Sequence, residues 1–338
     1  MNPPEQHHRR SQRRTSLARR ARAALAATAL AALGACGGGV STLEPFTPER
    51  LHVFGDELAL IQPDGSKFTI NALDASTTPA SLACASFPVW PQYLAQSWGM
   101  AFAECNPAAQ ADPKAVQRSV AAGAKAADTA AALRAFAAAT GLGRGDLFAV
   151  SAGQNDVLDA YAQVQAAPAT FTVAMATAQV EAAADTLADA INAVAAANGR
   201  IIFTTVAELN LAPLATAAGS DGLATIASLV RAFNTRLRLR VDNNGRRIGL
   251  VKVDELMQVL HENREISGAS ITNTAEAACL DDGAHRGANL PACTTETLTT
   301  AATGNAGAFM WADETRITPA IHAQIGAAAT NISRGNPF

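Results

Sequence analysis

The chain has no uninterrupted apolar run of the roughly 18 residues that would cross a bilayer, which excludes a polytopic membrane protein. It is also poor in charge. Only 16% of its 338 residues are Asp, Glu, Lys or Arg while 49% are hydrophobic, and that balance excludes disorder throughout. No CxxC pair occurs and no histidine sits at ligand spacing, so no zinc or other metal is expected, and no cofactor. There is no internal repeat and no G-x-S-x-G nucleophile elbow. The glycine-rich stretch 141–145 precedes an apolar strand-like run rather than a helix, so it reads as a turn and not as a phosphate cradle.

The net charge of −3 hides an asymmetry. Arg9, Arg10, Arg13, Arg14, Arg19, Arg20 and Arg22 crowd into residues 1–35, with Glu5 as the one acid there. Without that leader 19 basic residues face 28 acidic ones, a net charge of −9, which leaves no electrostatic case for binding nucleic acid. The later Arg236, Arg238 and Arg240 alternate with leucines and read as the solvated face of a helix.

The leader itself has the layout of an export signal. A basic region is followed by the apolar stretch Ala23–Leu33, too short to span a membrane, and then by Leu33-Gly34-Ala35-Cys36. This order resembles a bacterial lipobox, in which the cysteine becomes the lipidated first residue. Residues 1–35 are therefore expected to be a signal peptide, residues 36–48 a tether, and Cys36 a lipid anchor. The expected location is the bacterial cell envelope, periplasmic or on the outer-membrane face. A plain signal peptide with a chance cysteine and a mitochondrial-type presequence are the competing readings, and the export route stays open.

Cys84, Cys105, Cys279 and Cys293 remain, an even number that suggests two disulfides in an exported chain. Four cysteines permit three pairings. Cys84–Cys105 and Cys279–Cys293 are expected, because each pair lies within one loop-rich stretch.

Residues 49–338 alternate short apolar runs with long alanine-rich stretches. Strands are expected at 51–54, 100–103, 146–151, 200–206 and 248–253. Helices are expected at 129–140, 171–198, 223–241 and 319–331. Strands separated by helices imply parallel βαβ units in an α/β domain with a five-stranded, mostly parallel sheet. Loops at 77–88 and 267–307 interrupt the pattern without a second apolar core.

Five segments then resemble, in order, the motif blocks of the GDSL, or SGNH, hydrolases. Phe54-Gly55-Asp56-Glu57-Leu58 is similar to F-G-D-S-L. Val89-Trp90-Pro91-Gln92-Tyr93-Leu94-Ala95 is similar to that family's V-W-x-x-x-L-A helix. Ala121–Lys125 resembles its second block, around Gly123. Gly153-Gln154-Asn155-Asp156 is similar to G-x-N-D. Trp311 to His322 resembles the last block, W-x-D-x-x-H-P-T-x-x-x-H. The resemblance implies a flavodoxin-like α/β/α sandwich with its site at the carboxyl edge of the sheet. It further implies that Gly123 and Asn155 supply an oxyanion hole, that Asp313 orients a base, and that an acyl-ester or glycan-type ligand fits the cleft.

Two positions depart from the family: Glu57 stands where it has the nucleophilic Ser, and Arg316 where it has the His base. Arginine is not deprotonated in proteins and cannot shuttle a proton. A carboxylate attacking an ester would give a labile anhydride. Glu57 and Arg316 are instead expected to form a charge-assisted pair completed by Asp313. The functional expectation is a catalytically degenerate relative, a pseudo-esterase that binds or has a structural role. The alternative is an active esterase, lipase or deacetylase with a displaced nucleophile, for which His322 is the nearest candidate base.

Overall fold

The computed structural model describes residues 46–242 and 245–335. The expected signal peptide, Cys36 and most of the tether lie outside the described residues. Its last part does not behave as a tether. Phe46 packs against the core, with the Arg200 guanidinium 4.2 Å from its ring centre, and Pro48 is buried.

Among the described residues ten strands follow in chain order: β1 Arg50–Gly55, β2 Leu73–Asp74, β3 Ser81–Leu82, β4 Ala101–Phe102, β5 Lys114–Val120, β6 Asp146–Ser151, β7 Arg200–Thr204, β8 Ile248–Val251, β9 Asn273–Ala277 and β10 Phe309–Trp311. The α-helices are α1 Trp90–Ser97, α2 Ala126–Thr140, α3 Gln154–Ala166, α4 Val173–Ala196, α5 Pro213–Ala217, α6 Gly219–Arg240, α7 Val253–Glu262 and α8 Pro319–Ser333. One six-stranded sheet in the order β4-β5-β1-β6-β7-β8 organises them, and every pairing within it is parallel. The fold is α/β, as expected, but the sheet has six strands rather than five.

The added strand is β5. Its sequence, Lys-Ala-Val-Gln-Arg-Ser-Val, buries only Ala115 fully and keeps Lys114, Ser119 and others in contact with water. It therefore shows neither the solid apolar run of a doubly covered strand nor strict alternation. By contrast β1, β6 and β7 are buried along nearly their whole length, and these were legible.

The winding places the site. From β1 the chain leaves through α1 to the β4 edge, returns as β5 beside β1, and crosses through α2 to β6 on the other flank of β1. The helices α3 and α4 then lead to β7, and α6 leads to β8. Right-handed crossovers put α1 on one face of the sheet and α2, α4 and α6 on the other. Packing agrees, since α4 lies against α2 and α6, while α1 lies against α8. The winding direction thus reverses at β1, where open α/β sheets hold ligands outside the carboxyl ends of their strands.

The loop 267–307 is also more ordered than expected. Phe68, Ile70, Leu290, Leu298 and Phe309 gather around the Cys279–Cys293 disulfide as a subsidiary core. These residues are scattered singly through polar sequence, so no periodic pattern announces them. The second disulfide joins Cys84 to Cys105. Beside it the buried Lys67 ammonium donates to the carbonyls of Cys84, Ser86 and Phe87 at 2.9, 3.1 and 2.9 Å. Burial pulls this lysine down to about 8.

Candidate active site

Three adjacent strands deliver the first three site residues. Glu57 follows β1, Gly123 follows β5 and Asn155 opens α3 just after β6. The turn out of β1 requires glycine. Gly55 has φ +140°, and a side chain there would strike the Ser151 carbonyl of β6. That close approach sets the separation between Glu57 and the start of α3.

The Glu57 side chain is 2% exposed and all of its oxygens are engaged. Oε2 accepts from the Gly123 amide at 2.9 Å and from Asn155 Nδ2 at 2.9 Å. Oε1 accepts from the Arg316 guanidinium at 2.9 Å. The opposite side of that guanidinium donates to Asp313 Oδ2 at 3.2 Å. Asp313, with no exposed side-chain surface, also accepts from the amides of Thr315 (2.9 Å), Arg316 (2.7 Å) and Gly287 (3.1 Å). Glu57, Gly123, Asn155, Asp313 and Arg316 therefore form one continuous network.

Burial pushes the Glu57 carboxyl up, but the Asn155 hydrogen bond, the Arg316 charge and the Gly123 amide outweigh it and hold it below its ordinary value. Asp313 goes the other way, raised by burial despite Arg316 and the two local amides. Burial also lowers Arg316, yet Asp313 and Glu57 more than compensate and raise it further. Asp56, behind Glu57, is driven well above the usual carboxylate range by burial and by the Glu57 charge. The ion pair is thus fixed in its charged form at neutral pH. A carboxylate bound by three donors is a poor nucleophile, and the Arg316 guanidinium cannot accept a proton.

The other sequence candidates do not join it. His322 is fully buried on α8 with the Trp90 amide 3.4 Å from its Nδ1, and burial pulls it down to about 3. His52 lies within β1 between Asp146 and Arg118, at 3.1 Å from each, against the rings of Phe136 and Phe148. Ser151 is buried with its hydroxyl 3.5 Å from Asp56. Among the described residues no cluster of three or more His, Cys, Asp or Glu could hold a metal, and no helix is long and apolar enough to cross a membrane.

Sequence reasoning missed two contributors. Gly287 reaches Asp313 from inside the Cys279–Cys293 loop, where Arg286 also pairs with Glu314 at 2.7 Å. A shallow, largely apolar groove of about 640 Å³, lined by Leu158, Tyr161, Leu214 and neighbours, ends at Thr315 and Arg316. Leu158 and Tyr161 sit about one and two turns along α3 from Asn155, but a helical apolar stripe reads equally as core.

No family model and no curated protein matches the chain. Among solved structures, a member of the lipolytic protein G-D-S-L family from Veillonella parvula aligns with a TM-score of 0.40 and 10% identity, covering 83% of this chain and 96% of that one.

Proposed function

We propose that this chain is an SGNH/GDSL-type relative that has lost ester hydrolysis and serves as a binding or structural protein of the bacterial envelope, exported and anchored through Cys36. The observation that carries the reading is Glu57 Oε2 lying between the Gly123 amide and Asn155 Nδ2. In the hydrolases that the motif order resembles, that space receives the substrate oxyanion. Here it receives a side chain that replaces the nucleophile, while the base position holds an arginine that cannot deprotonate. Filled by Glu57, the hole does not offer even the modest rate enhancement that an open one keeps without nucleophile and base. The groove beside Arg316 supports retention of a ligand surface for an acyl-ester or glycan-type molecule.

The test is turnover of p-nitrophenyl acetate and butyrate by the mature domain, together with a fluorophosphonate probe. The expected result is hydrolysis at the rate of a protein-free control and no labelled serine. Labelling of one serine whose substitution abolishes turnover overturns the reading.

A further inference from the structure

We propose that Gly123, Asn155 and Arg316 form a carboxylate-binding site whose resident ligand is the chain's own Glu57, and that this site takes a free small carboxylate such as formate or acetate once the tethered one is removed. The donors are matched to a carboxylate rather than to a single oxygen: two converge on Oε2 and a third reaches Oε1.

Each donor is also held without help from Glu57. The Asn155 amide is anchored by a second hydrogen bond to the Ala124 carbonyl at 3.1 Å. Asp313 grips the other side of the Arg316 guanidinium. Gly123, at φ +77°, sits in a turn closed by the Ala124 amide on the Ala121 carbonyl at 3.2 Å. A cradle whose parts are fixed separately keeps its shape when the ligand is truncated. Vacated space would open to water, because Gly123 is exposed and both Asn155 and Arg316 are partly so. In the native chain the tether gives Glu57 a large effective concentration, so outside anions are excluded. Glu57 is then a built-in plug.

This inference shares its donors with the functional reading above, but its test reads no ester turnover, so either can fail alone. Thermal unfolding of Glu57→Ala is followed at pH 7 in sodium formate or acetate against chloride of equal ionic strength. A rise that grows with the logarithm of carboxylate concentration, and reaches roughly 2–4 °C at about ten times the dissociation constant, is expected. Wild type should show no such rise, and adding Asn155→Ala should weaken the response at least about tenfold, the equivalent of one lost charge-assisted hydrogen bond. Absence of a carboxylate-specific shift in the folded variant, or an equal shift in wild type, overturns the proposal. Should the alanine variant not fold, Glu57→Ser leaves nearly the same space and is read in the same way. Failure of both variants to fold in formate also overturns it, because a cradle that stands without its carboxylate must let one of them fold.

Discussion

Arg316 lies 2.9 Å from Glu57 across 259 residues of sequence, and this contact joins the turn after β1 to the last loop before α8. Both groups are largely removed from water, and the pair is fixed by hydrogen bonds from Gly123 and Asn155 on Glu57 and to Asp313 from Arg316 as well as by charge, while Arg316 Nε is buried without a partner. Removing one member leaves the other with unmet requirements, which is where the energetic penalty arises.

Glu57→Gln should therefore destabilise the fold by about 1–3 kcal/mol at pH 7, moderated because Asp313 still holds Arg316. The pH dependence has a definite sign. The folded carboxyl lies below its ordinary value, so its contribution is complete above the unfolded value of roughly 4.3 and is lost as pH falls through the folded one. Denaturant titrations at pH 7 and in acid should show the gap between wild type and variant closing only below about pH 4.

His322 acts in the same direction over a higher pH range. It is neutral in the fold, with a value near 3, and charges in the unfolded chain near 6.5. Unfolded protein then binds the extra proton, so stability falls as pH drops from about 6.5 towards 3, by roughly 3–5 kcal/mol in all. In His322→Asn the amide oxygen can still accept from the Trp90 amide, but the group does not titrate. Its melting temperature should decline less steeply between pH 7 and pH 4 than that of wild type.

The Cys279–Cys293 disulfide closes a loop with a sequence separation of 14, and that loop brings Gly287 to Asp313. Chain-entropy arguments give about 3 kcal/mol for a loop of this length. Replacing both cysteines by serine should lower the melting temperature by roughly 6 °C for a chain of this size. Amide exchange should also accelerate at Gly287 and Arg316, which unrelated surface substitutions would leave unchanged.

How much of this was legible in the sequence follows from burial. Strands β1, β6 and β7 are covered on both faces, so their apolar runs stand out. Strand β5 alternates between core and solvent irregularly, and it escaped notice although Gly123 stands just beyond its end. The Glu57–Arg316 pair was foreseeable because the two replacements are chemically complementary and sit at positions that the motif blocks bring together. Gly287 was not, since a backbone amide in a long polar loop carries no side-chain signal. The same holds for the subsidiary core, whose apolar members reach one another only through the disulfide-closed loop.

Under the proposed function two side chains separate this site from a working hydrolase, and the double replacement Glu57→Ser with Arg316→His tests that most directly. The folded double variant and wild type are compared for fluorophosphonate labelling and for p-nitrophenyl acetate turnover. Wild type is expected to be silent in both, and the double variant to be labelled at position 57 with turnover above the protein-free rate. A wild-type protein that labels and turns over, or a folded double variant as silent as wild type, contradicts it.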